Sequence, residues 1–338
     1  MSALPQKSLA TGGPSVSRLC LGTMMFGDQT DDAEAGRILD AYFVSGGNFI
    51  DTADTYAAGR SEEMLGRLLG VRRNDVVLAT KVGNKVGGVA DSGGISPRWI
   101  ADAANQSLDR LQTKAIDLYY LHLDDNETPL DDVVAALGQL LSDGKIKAWG
   151  FSNFRPWKIA DLIHIADRLG VARPIAAQPY YHVLNRVIES DLLPACEHFG
   201  IGTVTYSPLA RGVLTGKYRE GATPEGSRAA RGDTRIMQTE FQPETVNAAN
   251  MAADYAEASH RGPGGLALNW VLANQLVTSV LAGPKTLDQL KGYLDAFGMV
   301  YNADDEAFLD SLCGTGCTPN PGYTDPRYPL RGRVTDLG

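Results

Sequence analysis

Four cysteines in 338 residues are too few and too scattered to build a disulfide framework. With Cys20, Cys196, Cys313 and Cys317 spread along the chain, a reducing compartment, the cytoplasm, is the expectation. Positive charge is also short: 31 Lys and Arg stand against 40 Asp and Glu, a net charge of −9. A general nucleic-acid or anionic-membrane binder needs a basic field, which this chain lacks. No long hydrophobic run is present. The most membrane-like stretch, Gly265 to Gly283, carries Asn269, Asn274, Gln275 and Thr278 and reads as a buried helix followed by a strand. No basic segment followed by an apolar run opens the sequence, so no secretory signal is expected. The five histidines show no H-E-x-x-H spacing, and Cys313 and Cys317 have no second pair, so no zinc site is expected. There is no G-x-S-x-G elbow for serine hydrolysis. An early strand followed by G-x-G-x-x-G is missing as well, which argues against a doubly wound dinucleotide-binding sheet.

What the chain does have is core material. Hydrophobic residues make up 43% and charged residues 21%, ordinary for a globular protein. Eight short apolar runs recur: Arg18 to Gly22, Asn48 to Asp51, Val76 to Lys81, Ile116 to His122, Ile146 to Ser152, Ile175 to Gln178, Ile201 to Tyr206 and Ser279 to Gly283. Few charges interrupt them, as expected for strands buried on both faces. Amphipathic helices lie between. One starts at Thr128 with Pro129 in first position, carries Leu130, Val133, Val134, Leu137 and Leu141 at helical spacing, and stops at Gly144. Another runs through Ile159, Leu162, Ile163, Ala166 and Leu169 to Gly170; Ser96-Pro97 opens a third. Asp31 and Glu34 have the spacing of a capping box.

Eight strands alternating with helices predict a (β/α)8 TIM barrel, read as one domain over residues 1–338. Leu4 to Ser17 reads as an N-terminal hairpin. Gly83 to Ile95 and Ser207 to Phe241 are long enough to be functional loops that cover the site, and residues 313–338 form a tail expected near its mouth.

Barrel active sites form at the C-terminal ends of the strands, so the residues ending each run matter. They are Asp51 (with Tyr56 shortly after), Lys81, His122, Ser152-Asn153, Gln178, Tyr206-Ser207 and, through Pro284, Lys285. Any one has a plain structural reading, such as an Asp capping a helix. Together, Asp51, Tyr56, Lys81 and His122 make an acid–base set. An ammonium beside a tyrosine favours the phenolate and is expected to lower its pKa, a carboxylate fixes the ammonium, and a histidine orients a carbonyl oxygen. Carbonyl reduction needs such a set, because an oxyanion must be protonated as it forms.

The motifs L-G-T-M-M-F-G (Leu21 to Gly27), F-I-D-T-A-D-T-Y (Phe49 to Tyr56), A-T-K-V-G (Ala79 to Gly83) and D-L-Y-Y-L-H (Asp117 to His122) appear in that order. G-F-S-N-F (Gly150 to Phe154), Q-P-Y-Y (Gln178 to Tyr181), Y-S-P-L-A-R-G-V-L-T-G-K-Y (Tyr206 to Tyr218) and G-P-K-T-L-D-Q-L (Gly283 to Leu290) follow. In order and spacing the set resembles the aldo-keto reductase superfamily. That resemblance implies a barrel that binds NADP(H), or NAD(H), without a Rossmann motif, and an enzyme that reduces an aldehyde or ketone with Tyr56 as general acid. It implies Ser152, Asn153 and Gln178 on the nicotinamide carboxamide, Tyr206 on its ring, and Ser207, Pro208, Leu209, Arg211 and Lys217 along the pyrophosphate. Gly22, Thr23, Met24, Asp51 and Gly283 complete the cofactor contacts, with Lys285, Thr286 and Gln289 toward a 2′-phosphate. Gly292 and Tyr293 depart from the acidic residue and Asn that the family commonly sets against adenine.

Charge supports an anion site independently. From Arg211 to Arg235 there are six basic residues (Arg211, Lys217, Arg219, Arg228, Arg231, Arg235) and three acidic ones. For the distal arginines the alternative is a solvated loop. The partner is expected to be a small carbonyl or alcohol, its identity set by Met25, Phe26, the Gly83 to Ile95 loop and the tail. Two other functions stay open: a cofactor-binding regulator resembling potassium-channel β-subunits, suggested by Tyr56 to Glu62 and Ser207 to Gly212, and an NAD-linked dehydrogenase.

Overall fold

The computed structural model describes residues 3–322, apart from the side chain of Glu220, and residues 325–328. Of the 313–338 tail, residues 323–324 and 329–338 lie outside the described residues. The eight apolar runs are eight strands: β3 (Leu19–Gly22), β4 (Phe49–Asp51), β5 (Val77–Val82), β6 (Leu118–Leu121), β7 (Trp149–Ser152), β8 (Ala176–Gln178), β9 (Gly202–Tyr206) and β10 (Val277–Ala282). All pair in parallel and close into a barrel in which β10 returns to β3. Before them, β1 (Gln6–Ser8) and β2 (Ser15–Ser17) form the antiparallel hairpin. The Gly265 to Gly283 stretch is a buried helix and a strand, and no helix among the described residues is long and apolar enough to cross a membrane.

Two cores follow from strands apolar on both faces. Inside, Leu9, Val16, Cys20, Phe49, Ala79, Leu118, Tyr120, Ala176 and Val204 fill the barrel. Leu9, at the turn of the hairpin, is fully buried, so the hairpin plugs one end. Outside, strand side chains meet the helices α1 (Asp32–Val44), α2 (Arg60–Leu69), α3 (Pro97–Arg110), α4 (Leu130–Ser142), α5 (Pro156–Leu169) and α6 (Leu192–Phe199). The ring is completed by α7 (Thr234–Gln238), α8 (Pro243–Ala258), α9 (Pro263–Ala273), α10 (Leu287–Ala296) and α11 (Ala303–Leu312). Each fully buried Leu, Ile, Val or Phe contributes about 1.5–3 kcal/mol, so these two layers carry the stability.

The caps explain where helices begin. Ser96 accepts from the Trp99 amide at the start of α3, and Asp31 accepts from Glu34 at the start of α1. The second half of the anticipated capping box is absent: Glu34 Oε1 instead accepts from the Leu287 amide (2.6 Å), joining the first helix to α10 across the barrel seam. Helix α4 begins one residue later than the sequence suggests, because the Thr128 hydroxyl turns back to Asp125 (2.7 Å) and Pro129 becomes the cap. The loop from Ser207 to Phe241 is not structureless. Leu214, Tyr218 and Ile236 bury into the core formed with α8 and α9, which holds the loop over the barrel mouth.

Candidate active site

Parallel pairing in register brings the strand ends to one rim. Gly22 pairs with Asp51, Asp51 with Ala79, Lys81 with Tyr120, and Ser152 with Gln178. Gly22, Asp51, Ser152 and Gln178 line a cavity of about 1220 Å³ at that rim.

At its base Lys81 is fully buried and its ammonium has three acceptors. It donates to the Asp51 carboxylate, to Thr52 O (2.7 Å) and to Tyr56 Oη (3.3 Å). Asp51 Oδ2 accepts from Gln178 Nε2 at 2.8 Å, so the carboxylate is held from two sides. The His122 ring stands edge-on to Tyr56, centroids 6.0 Å apart, and its Nδ1 is buried without a partner among the described residues. Burial pulls the Lys81 ammonium down, but Asp51 and Tyr56 outweigh it and hold its pKa above the ordinary value. Burial, the Lys81 charge and the Arg327 charge push His122 well below the imidazole range, so the ring is neutral. Tyr56 corrects an expectation. Burial raises its phenol above the ordinary value, and the opposing pull of Lys81 does not reverse the shift, because the same enclosure that brings the ammonium close removes water from the phenolate.

Backbone strain gathers on this rim. Ala57 and Ala58, directly after Tyr56, have φ of 49° and 56°, and Asn153, Ser207, Ala210 and Arg211 have φ between 48° and 61°. Such residues cost roughly 1–3 kcal/mol each and persist only where their surroundings dictate them. Gly212 lies at φ +99°, a left-handed backbone that a side chain would strain.

Most of the anticipated cofactor residues line the cavity: Gly22, Met24, Asp51, Ser152, Asn153, Gln178, Tyr206, Ser207, Pro208, Leu209, Arg211, Lys217, Gly283, Lys285 and Gln289. Thr23 and Thr286 do not. The Thr23 hydroxyl is fully buried against Asp51 O (3.1 Å) and Ser61, and Thr286 caps α10 by accepting from the Gln289 amide. Phe26, anticipated at the substrate, is in the outer core instead. Near Tyr56 the wall offers amide chemistry: Asn153 Nδ2 donates to Ser152 Oγ (2.8 Å), and its Oδ1 accepts from Tyr206 Oη (2.9 Å). Arg211 is already paired with buried Glu240 (3.0 Å) and lies over the Tyr180 ring.

Lys217, Arg228, Arg231 and Lys285 stand close together on the cavity wall. Burial lowers the Lys217 and Lys285 ammoniums, and the arginine charges lower them further. Arg228 pairs with Asp233, Arg231 bonds to neutral Gln29, and the Lys285 ammonium reaches Gly226 O (3.4 Å). Among the described residues these four mutually repelling cations have one ion-paired carboxylate, Asp233, so this wall carries net positive charge. The cavity thus joins a wall of amide and hydroxyl groups around Ser152, Asn153 and Gln178 to a wall of cations. Gly292 and Tyr293 also lie on the wall. Sequence reasoning named Arg228 and Arg231 only through loop charge, and missed Asn84, Lys85, Arg327 and Tyr328, which line the cavity too. Asn84 and Lys85 sit in the Gly83 to Ile95 loop, and Arg327 and Tyr328 in the tail; both segments are expected at the substrate, but nothing local singles out these residues. Behind the rim, Asp54 is buried and neither carboxylate oxygen has a hydrogen-bond partner among the described residues.

The aldo/keto reductase family model matches residues 18–313. A probable voltage-gated potassium channel subunit beta of Oryza sativa subsp. japonica is 35% identical over 300 residues, covering 87% of this chain and 91% of that protein. An uncharacterized oxidoreductase of Bacillus subtilis is 34% identical over 329 residues, covering 94% and 97%. A putative voltage-gated potassium channel subunit beta of Schizosaccharomyces pombe is 34% identical over 322 residues, covering 91% and 90%.

Proposed function

The chain belongs to the aldo/keto reductase family, and from that premise we propose that it is an NADP(H)-dependent oxidoreductase reducing an aldehyde or ketone to its alcohol. The observation that carries the reading is the buried Asp51–Lys81–Tyr56 chain with neutral His122 beside it, in the same cavity as the cation cluster. The nicotinamide, when bound, supplies the hydride. Ser152, Asn153 and Gln178 would hold its carboxamide, Tyr206 would cover its ring, and Lys217, Arg228, Arg231 and Lys285 would hold its phosphates. His122 donates a hydrogen bond to the carbonyl oxygen and orients it. Tyr56 gives that oxygen its proton as negative charge develops, and Lys81 stabilises the phenolate left behind. Asp51 keeps Lys81 charged and in place. The chain acts as one barrel domain in the cytoplasm, and of its tail the described residues Arg327 and Tyr328 reach the mouth.

Tyr56→Phe keeps the ring and removes the proton. Oxidation of NADPH by simple aldehydes is expected to fall by about 100-fold or more while NADPH binding stays near parental. A near-parental kcat would assign the proton to another group. A second reading, a cofactor-binding regulatory subunit of potassium channels, draws on the channel-subunit relatives. It predicts altered currents when the chain is co-expressed with a voltage-gated potassium channel, and aldehyde turnover too slow to matter. An NAD-linked dehydrogenase would bind NADH as tightly as NADPH.

A further inference from the structure

The segment Asp325 to Tyr328 lies over the barrel mouth and is tied down at both ends. The Asp325 carboxylate receives both terminal nitrogens of Arg235 (3.0 and 2.7 Å), a bidentate pair that neutralises it. Arg155 donates to Tyr328 O at 2.8 Å, and Asn153 Nδ2 reaches Tyr328 Oη at 3.2 Å. One charge in the segment is left over. The Arg327 guanidinium lines the same cavity as Tyr56, His122 and Asn84, and its charge is felt at the His122 ring. Its hydrogen-bond partner is the side-chain oxygen of Asn84, a neutral amide, and no carboxylate pairs with it among the described residues. The cavity's own carboxylates are committed or remote in chemistry: Asp51 to Lys81, Asp233 to Arg228, while exposed Asp28 accepts from Gln29. Exposed Lys85, next to Asn84, adds a second positive group to this wall.

We propose that Arg327, presented by the anchored tail and steadied by Asn84, is an anion-binding residue of the substrate site, so that the preferred substrates are carbonyl compounds carrying a carboxylate or phosphate. The inference rests on the reductase reading. A guanidinium presents two parallel N–H groups to such an anion, and its neutral partner Asn84 can be released without stranding a charge. The anion would be held at the mouth while the carbonyl end of the same molecule reaches His122 and Tyr56. Because the contact is made equally before and during reaction, it acts through KM more than through kcat.

The test uses the full chain with saturating NADPH. The paired probes are para-carboxybenzaldehyde with its methyl ester, and glyceraldehyde phosphate with glyceraldehyde. The expected result is a higher kcat/KM for at least one anionic member over its neutral partner, and which pair responds tells carboxylate from phosphate. Arg327→Gln should raise KM for that anionic substrate by about tenfold or more and leave the neutral one unchanged. Arg327→Lys, which keeps the charge without the fork, should fall between. Equal turnover of charged and neutral probes by the parent, or an unchanged KM in Arg327→Gln, overturns the proposal. If no aldehyde is turned over at all, the reductase reading fails, and benzoate and inorganic phosphate binding to the NADP⁺-loaded protein decide the rest. Weaker binding of either to Arg327→Gln by about tenfold sustains the anion site, and equal binding of both removes it.

Discussion

Replacing Lys285 by Met probes the phosphate end of the cavity with an internal control. Lys285 stands with Lys217, Arg228 and Arg231, and its ammonium is lowered first by burial and then by the two arginines. Its hydrogen-bond partner is Gly226 O at 3.4 Å, a weak contact, so little in the free protein depends on it. At about 4 Å a unit charge and a phosphate oxygen attract by about 4 kcal/mol at an effective dielectric near 20. Three neighbouring cations share the same phosphates, and the half-exposed site is screened by salt, which brings the net loss to about 1–3 kcal/mol. That is a rise of roughly 5- to 150-fold in the Kd for NADPH. NADH lacks the 2′-phosphate, so its Kd should hardly move. Fluorescence titration of both cofactors against both proteins gives the ratio of ratios, in which general damage to the fold cancels. Thermal unfolding without cofactor supplies a second sign: because Lys285 is repelled by Arg228 and Arg231, Lys285→Met should melt at or above the parent's Tm. Equal losses for NADPH and NADH, or a lowered Tm in the free protein, would refute the assignment of Lys285 to the 2′-phosphate.

Two further outcomes follow from the scaffold. Gly202 faces the hairpin plug, and a Cβ there would lie 1.5 Å from Leu9 O, so Gly202→Ala must displace the hairpin; a loss of about 3 kcal/mol or more is expected, at the upper end for overpacking, and an unchanged urea midpoint would contradict it. Burial, reinforced by Glu62, pushes the Asp54 carboxyl from 3.8 up to about 8. The folded state therefore keeps a proton that the unfolded state releases, and the stability this group contributes is complete below pH 3.8 and is lost as pH rises to about 8. Asp54→Asn removes that slope, so its Tm should gain on the parent's steadily across this range; a difference independent of pH would mean that Asp54 is not protonated in the folded protein.

How much of this was legible in the chain depends on how local the cause is. The strands were readable because a strand covered on both faces must be apolar at every position, and runs such as Val76 to Lys81 and Ile201 to Tyr206 have that property on their own. Ser96-Pro97 and Gly170 mark helix ends through interactions within one turn, and they do so in the folded protein. The barrel followed from strand count and alternation, and with it the rim that gathers Asp51, Lys81, His122 and Gln178. Two expectations fail for a different reason: Glu34 has the spacing to close a capping box in its own helix and instead serves Leu287, and Phe26, expected at the substrate, lies in the outer core. Each side chain has a near and a distant partner of similar chemistry, and only the path of the chain in space decides between them.

Electrostatic balance was less legible still. The sequence determined that a lysine and a tyrosine would meet on one rim; the tertiary structure decided the sign of the shift at Tyr56, because burial and a neighbouring charge act on the same phenol in opposite directions. The same holds for the tail. Arg235 and Asp325 are separated by ninety positions and form a bidentate pair, and that anchor is what carries Arg327 to the cavity. Periodicity, capping and strand count are properties of neighbours along the chain, so the sequence by itself determined the fold and the identity of the groups at the rim. Dielectric, pairing and access are properties of neighbours in space, so the state of those groups, and which tail residue faces them, belonged to the tertiary structure alone.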